Sequence, residues 1–310
     1  MKILKACQIG LLAVIFFTLA GFLAGFHLMF DLTTQFRVQY YLLASFFLIC
    51  FVIFQAWRWA LLALLPILLN GIFILPLFAH VKETVPFGYR STLRLVIANV
   101  EADNTHYAAV KKMVENSGAD LVVLVETNDA WVRELESLKQ FYPYYMLRGR
   151  SDCFGMSIFS RFPLQAEPAQ LNPNGEIYLH AVDVLKGEKN FSLLAVHPPP
   201  PVSLERFATR NQAYEEIVRW VRSRKEPVIV AGDLNSAVWS PFYRRLEKKM
   251  GLSSIRAGRG VIPTWPAFVL DIFRVPLDHC FVSSDFKVSD VQTGKSNGSD
   301  HLPLIVDLKL

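Results

Sequence analysis

The chain of 310 residues is 52% apolar and 19% charged, and its 32 basic and 27 acidic side chains leave a formal charge of +5; so much apolar and aromatic content excludes intrinsic disorder. Only Lys2, Lys5, Asp31, Arg37 and Arg58 are charged among the first 80 residues, so residues 81–310 carry 28 basic and 26 acidic groups. The pI near 9.0 therefore does not describe a basic polar domain that would hold nucleic acid by charge alone.

A helix crosses the hydrocarbon layer with about 20 mostly apolar residues. Residues 9–30 supply such a run without a Lys, Arg, Asp or Glu. Residues 40–57 form a second, with Tyr40, Tyr41 and Trp57 at its ends, where aromatic rings suit the interfaces. Residues 60–79 form a third that contains Pro66, Asn70 and Pro76, which neighbouring helices can accommodate. A cleaved signal peptide would account for the basic start at Lys2 and Lys5, but its apolar run would be shorter and two more spans would not follow. Lys2 and Lys5 precede the first span, and Arg58 joins the second to the third, so the positive-inside rule turns these toward the cytoplasm. Lys82, Arg90 and Arg94, just past the third span, pull the other way. The balance favours a multi-pass anchor in the cell (inner) membrane, with everything after residue 80 on the extracytoplasmic side.

Residues 81–91 read as a short polar linker with Pro86 and Gly88, and residues 92–310 as one domain. Strands are expected at 93–100, 121–125, 144–147, 156–160, 177–184, 191–196, 228–231, 280–282 and 304–308. The run 121–125 is wholly apolar, as for a strand buried on both faces. Helices are expected at 107–116, capped by Asn104 or Thr105, and at 131–138, 204–222 and 241–250. Alternating strands and helices, with several strands in succession, define an α/β or α+β class. Cys7 and Cys50 fall in or beside the spans. Cys153 and Cys280 lack zinc-ligand spacing and read as two unpaired thiols rather than a disulfide.

Six expected strands begin or end on a polar residue: Asn99, Glu126, His197, the run Gly232-Asp233-Leu234-Asn235, Asp278-His279, and Ser299-Asp300-His301. Strand ends on one side of a sheet are where open α/β folds gather their chemistry. Each alone has a bland explanation, since Asn and Asp start turns and a lone His is usually ordinary. Together they are chemically matched. Asn99 and Glu126 are the hard oxygen donors that Mg2+ takes. His197 and His301 suit phosphate contact or acid–base work, with Asp278 able to fix a histidine tautomer. There is no Gly-rich phosphate loop and no GxSxG elbow. The chemistry indicated is metal-assisted hydrolysis of a phosphate ester.

These residues, in this order, resemble the endonuclease/exonuclease/phosphatase superfamily, which includes DNase I, AP endonucleases, sphingomyelinases and inositol phosphatases. The matching pieces are Ile97-Ala98-Asn99, Leu124-Val125-Glu126-Thr127, GMSIFSRFP at 155–163, Val196-His197, Ala231-Gly232-Asp233-Leu234-Asn235, Thr264-Trp265, Leu277-Asp278-His279 and Ser299-Asp300-His301. The resemblance implies a DNase I-like four-layer α/β sandwich with two central sheets, here preceded by three transmembrane helices. It implies Glu126 as principal Mg2+ ligand, with Mn2+ a substitute, supported by Asn99 and with Asp300 at or next to the metal. It implies Asp233 to position or deprotonate the attacking water and Asn235 to hold phosphate and nucleophile in line. His301, paired with Asp278, would contact phosphoryl oxygens or act as base. His197 stands where the DNase I-like branch has histidine and the AP-endonuclease branch tyrosine. Two departures stand out: Ala98 replaces a commoner aromatic residue, and His279 stands beside Asp278 where many relatives have a tyrosine or an aliphatic residue, which leaves its role open, with a structural one expected.

The leading expectation is a membrane-anchored, Mg2+-dependent hydrolase of a phosphodiester or phosphomonoester. The alternative is a membrane-tethered DNA or RNA nuclease, with Arg148, Arg150, Arg161, Arg206, Arg210, Arg256 and Arg259 as a basic rim and Trp265 stacking on a base or sugar. Arg161, Arg210 and Trp265 are the named substrate-contact candidates. A non-catalytic scaffold would have no physical need for the full polar set.

Overall fold

The computed structural model describes residues 2–79, 93–167, 170–171 and 177–310; the expected linker, with Lys82 and Arg90, lies outside the described residues. The N-terminal segment forms α1 (Lys2–Ala20), extended by a 3-10 turn over Gly21–Leu23, then α2 (Leu28–Thr34), α3 (Arg37–Ile53) and α4 (Trp57–Ile74). The expected first span at 9–30 thus starts seven residues earlier and stops at Leu23, because the chain turns and His27 caps a new helix by accepting from the Met29 amide. Helices α2 and α3 meet at a bend of 63°. Lys2–Leu23 and Trp57–Leu77 are long and apolar enough to cross a membrane, and α2 with α3 makes a third span if the bent pair counts as one. Cys7, Leu11, Phe51, Ala60 and Ala63 pack at one end of the bundle. Toward the other, Asn70 donates to Thr18 Oγ1 (3.0 Å) and accepts from Arg37 Nη1 (3.2 Å), tying three helices with polar bonds.

The rest of the chain runs β1 (Leu93–Asn99), α5 (Tyr107–Ser117), β2 (Leu121–Val125), α6 (Asp129–Leu135), β3 (Tyr144–Arg148), β4 (Met156–Ser160), β5 (Leu164–Ala166), β6 (Gln170–Leu171), β7 (Ile177–Val184), β8 (Phe191–Val196), α7 (Leu204–Arg222), β9 (Val228–Asp233), α8 (Pro241–Met250), β10 (Ser253–Ser254), β11 (Asp278–Val282), β12 (Lys287–Thr293) and β13 (Leu304–Lys309). One sheet has the order β12-β13-β1-β2-β4-β3 and the other β10-β11-β9-β8-β7-β5, with β6 on β7. Side-chain alternation sets the layers. Leu93, Leu95 and Ile97 of β1 meet Leu193, Ala195, Ile229 and Ala231 between the sheets. Val96 and Ala98 face Val110, Val114, Trp131 and Leu135 of α5 and α6. Leu194, Val196, Val228 and Val230 face Tyr214, Ile217, Tyr243 and Leu246 of α7 and α8. Each such large side chain contributes about 1.5–3 kcal/mol on burial. This is the four-layer sandwich that the resemblance implied.

Several boundaries differ from expectation. Helix α5 begins after His106, without a side-chain cap, and Asn104 instead accepts from the His106 amide in a turn. Helix α6 starts two residues early, on an Asn128 cap that accepts from Trp131 N at 3.0 Å. Strands β5, β6, β10 and β12 were not anticipated; the first three span three residues or fewer, and β12 is a largely polar edge strand. Strands β9 and β11 run further than their apolar cores, so Asp233, Asp278 and His279 lie within strands. All four cysteines are free, Cys280 among the inter-sheet core.

Candidate active site

The C-terminal ends of β1, β2, β8 and β9, the N-terminal end of β11 and the segment before β13 meet at one edge of the two sheets. Strands β1 and β2 are parallel with Asn99 opposite Val125, so Glu126 follows immediately beside it. Strands β8 and β9 are parallel with Val196 opposite Gly232, which carries His197 to the level of Asp233. Strand β11 runs antiparallel to β9 with Asp278 directly opposite Asp233. Only glycine fits at 232, since a Cβ there would lie 1.9 Å from the Val196 carbonyl oxygen. Glu126 (φ 62°) and Asn235 (φ 51°) are held in the left-handed region that non-glycine residues seldom enter. Such conformations persist where surrounding structure enforces them, and they collect at functional sites.

The side chains form one connected cluster. Asn99 Nδ2 donates to Glu126 Oε1 (2.7 Å) and Asp233 Oδ2 (3.2 Å). Glu126 Oε2 accepts from Ala102 N at 3.2 Å. Asp233 Oδ1 accepts from Asn235 N at 2.7 Å, and Asn235 Nδ2 donates to Pro198 O at 3.0 Å. His301 Nδ1 bonds Asp278 Oδ2 at 2.8 Å, while its Nε2 lies 3.7 Å from Asp233 Oδ2 and 3.9 Å from Asp300 Oδ1. His197 Nε2 lies 3.6 Å from Glu126 Oε1 and 3.7 Å from Asp233 Oδ2. Ser299 Oγ donates to Asn99 O at 2.7 Å and accepts from His301 N at 3.0 Å, so the Ser-Asp-His segment is clasped to β1. His279 is structural. Arg256 Nη1 meets its Nδ1 at 3.1 Å, so Nδ1 accepts and Nε2–H donates to Ser236 O at 2.8 Å.

Burial pushes Asp233 up to about 6, with Asp278 adding to the effect, and burial likewise raises Glu126. Burial opposes the charge on His301, but the Asp278 and Asp233 carboxylates overcome it and push the imidazole up to about 10. Asp278 is lowered by the same contact, against its own burial. Burial lowers His197, leaving it a neutral imidazole between two carboxylates.

These groups open into a cleft of about 480 Å3 that is lined by Glu126, His197, Asp233, Asn235, Asp300 and His301, with Trp265 on its wall. Trp265 Nε1 donates to Asp300 Oδ2 at 2.9 Å. Two expected substrate contacts lie elsewhere. Arg161 follows β4, which runs antiparallel to β2, so it sits at the opposite end of the sheet, 3.7 Å from Asp120. Arg210 is fully buried in an ion pair with Asp31 at 2.9 Å and cannot meet a substrate. Arg256 is also fully buried, so the arginines do not assemble into one rim. Arg206 does line the cleft. Glu101 escaped notice in the sequence; it accepts from Asp300 N at 2.9 Å, and burial followed by Asp300 raises it. Leu32, Gln35 and Phe36 were missed too, since nothing local to the N-terminal segment signals that they reach the cleft.

Glu126 and Asp300 are oxygen donors of the kind a hard divalent ion takes, while Asn99 turns its Nδ2–H to the carboxylates and its Oδ1 accepts from Glu101 N at 2.9 Å. The raised Glu126 and Glu101 show carboxylates crowded in a poorly solvated place that an added cation would relieve. Asp233, Asp278 and His301 also offer ligand atoms within 4.8 Å of one another. There the Nδ1–Asp278 bond already commits one histidine nitrogen, so this trio is better suited to moving protons.

The Endonuclease/Exonuclease/phosphatase family model matches residues 96–301, and the chain belongs to that family of metal-dependent phosphoesterases and nucleases. Among solved structures, a mutant of beta toxin from Staphylococcus aureus with bound magnesium ions is 19% identical with a TM-score of 0.53, over 70% of this chain and 99% of that one. Truncated TDP2 from Caenorhabditis elegans is 16% identical with a TM-score of 0.55, over 70% and 98%. An endonuclease/exonuclease/phosphatase from Beutenbergia cavernae is 17% identical with a TM-score of 0.55, over 71% and 72%. At these identities the likeness establishes the fold. Comparison with curated proteins gives no match.

Proposed function

We propose that this chain is a membrane-anchored, divalent-metal-dependent phosphoesterase that hydrolyses a phosphodiester or phosphomonoester by in-line attack of water. The observation that carries this reading is the single hydrogen-bonded cluster Glu126–Asn99–Asp233 with His301–Asp278 against it, of which Glu126, Asp233 and His301 line one cleft. Glu126, its carboxylate fixed by Asn99 Nδ2, would hold Mg2+, or Mn2+ in its place, with Asp300 beside it. When bound, the ion supplies positive charge to the phosphoryl oxygens. Asp233 orients the attacking water and takes its proton, a role that its raised affinity for protons suits. Carboxylates at both nitrogens keep His301 doubly protonated, so Nε2–H donates to a phosphoryl oxygen. Neutral His197 serves the leaving oxygen, and Asn235 holds phosphate and water in line. The nuclease alternative draws less support, because Arg161, Arg210 and Arg256 are not on the cleft.

Domain organisation follows the same reading: residues 1–80 anchor, 81–91 link and 92–310 catalyse. Cys7, Phe51 and Ala60 pack together, so Lys2, Lys5 and Arg58 share one end of the bundle and the catalytic part lies at the other. That supports a multi-pass inner-membrane protein with an extracytoplasmic active site. The test uses the full chain in detergent. It should release p-nitrophenol from bis-p-nitrophenyl phosphate only with Mg2+ or Mn2+, and Glu126→Ala or Asp233→Asn should lower kcat by about 10²–10⁴-fold. Equal turnover by these variants would overturn the mechanism, and a reporter at residue 310 found in the cytoplasm would overturn the topology.

A further inference from the structure

The cleft has a second wall that is apolar, and part of it comes from the N-terminal segment. Leu32, Gln35 and Phe36 line it together with Phe154, Pro201 and Val202. Val202 is 72% exposed and Phe36 40%. Small polar phosphate esters gain nothing from such a surface.

The N-terminal segment is fastened in place rather than loosely apposed. Asp31 of α2 pairs with Arg210 of α7 at 2.9 Å, both fully buried, and accepts from Ser240 Oγ at 2.7 Å. Gln35 Oε1 accepts from Ala237 N at 2.7 Å. Gln39, near the start of α3, donates to Ile272 O at 2.9 Å and Arg274 O at 3.1 Å. These bonds fix the cleft mouth where α2 passes into the apolar helix α3. They also fix an apolar loop there. Between Trp265 and Val275, both cleft residues, Phe268 is 81% exposed and Leu270 71%, with Ile272 and Phe273 more than half exposed. Contiguous exposed apolar surface of this kind marks contact with a partner or a membrane.

We infer that the substrate is a membrane lipid phosphate ester. Its phosphate sits at the Glu126–Asn99–His301 cluster, its acyl chains lie against Leu32, Phe36 and Val202, and it enters sideways from the bilayer that holds α1, α3 and α4. The inference rests on the phosphoesterase reading and narrows it. For a lipid diester, the oxygen of one water forms the new bond to phosphorus and one P–O ester bond breaks. One of the water's protons ends on the leaving alkoxide, and the other stays on the new phosphate hydroxyl.

The experiment compares two arms with the purified full chain and Mg2+. One follows bis-p-nitrophenyl phosphate in detergent. The other follows mixed micelles of long-chain or dihexanoyl phosphatidylglycerol, phosphatidylethanolamine and phosphatidic acid, with products read by mass spectrometry. At least one long-chain lipid should be hydrolysed, about tenfold faster in kcat/KM than its dihexanoyl form. The ratio of long-chain lipid to soluble-diester activity should fall about tenfold in Phe36→Asp, and also in Val202→Asp, whose exposed loop position keeps folding out of question. Turnover of the soluble diester without any lipid, or an equal loss in both arms, would overturn the lipid assignment and leave the phosphoesterase reading intact. Inactivity in both arms would overturn that reading and the inference with it.

Discussion

Asp278 makes no approach to solvent, yet the geometry gives it leverage over the chemistry. Its Oδ2 holds His301 Nδ1 at 2.8 Å, and Thr264 Oγ1 accepts from the Asp278 amide at 3.3 Å. Asp278→Asn keeps the shape and an acceptor for Nδ1–H but removes the charge that favours the imidazolium. If His301 acts as donor to the phosphoryl group, kcat should fall on the order of 10²-fold while KM changes little, and the melting temperature should fall too because the buried imidazolium loses its charged partner; unchanged kcat would place His301 outside the reaction. Residues of this kind were legible because chemistry at strand ends leaves a polar residue abruptly after an apolar run, as at Asn99, Glu126, His197 and Asp233, or just before one, as at His301. Arg161 and Arg210 show the limit. A cation in a string of letters carries no sign of which sheet end it occupies, and the partner of Arg210 is Asp31, far away in sequence. Glu101 was hidden by its place in the turn after β1.

At the scale of elements, α2 is the piece the hydropathy pattern concealed. Residues 9–30 read as one apolar run because a turn at Gly25 and a cap at His27 cost almost nothing in mean hydropathy, while in the fold they redirect the chain. The outcome is a short helix whose Asp31 enters the protein interior. A buried pair contributes little net stability, since desolvation offsets attraction, but removing one partner strands the other at about 3–5 kcal/mol. Asp31→Leu or Arg210→Met alone should therefore lower the melting temperature in detergent markedly. The double variant should recover a large part of the loss, with a coupling above about 1 kcal/mol. Additive losses would mean that the pair does not hold α2 to α7. The strands were more legible than the helix junction, because their apolar cores are local, whereas the extensions that bring Asp233 and Asp278 into β9 and β11 depend on register with a neighbouring strand.

Across the whole molecule the alternation of strand side chains divides the catalytic part into four layers, and the layer between the sheets admits few polar groups. His180 is one. It shares a face of β7 with Val182 and Val184, which pack between the sheets, and its Nε2 has no hydrogen-bond partner. Burial, with Arg148 and Arg150 adding repulsion, lowers its pKa from 6.5 to about 4. The sign of the consequence follows from which state binds the proton. Below pH 6.5 the unfolded chain protonates this imidazole and the folded chain does not, so stability falls as pH falls. The loss accumulates down to about pH 4 and then levels, because both states are then protonated. The span corresponds to on the order of 3 kcal/mol at most. His180→Gln removes the titration while keeping a polar group of similar reach. The melting temperature of the full chain in detergent should therefore drop several degrees more between pH 7 and pH 5 for the native sequence than for this variant, whose baseline stability at pH 7 can differ in either direction. Parallel curves for the two proteins would show that His180 is solvated, and that the inter-sheet layer is open at that edge.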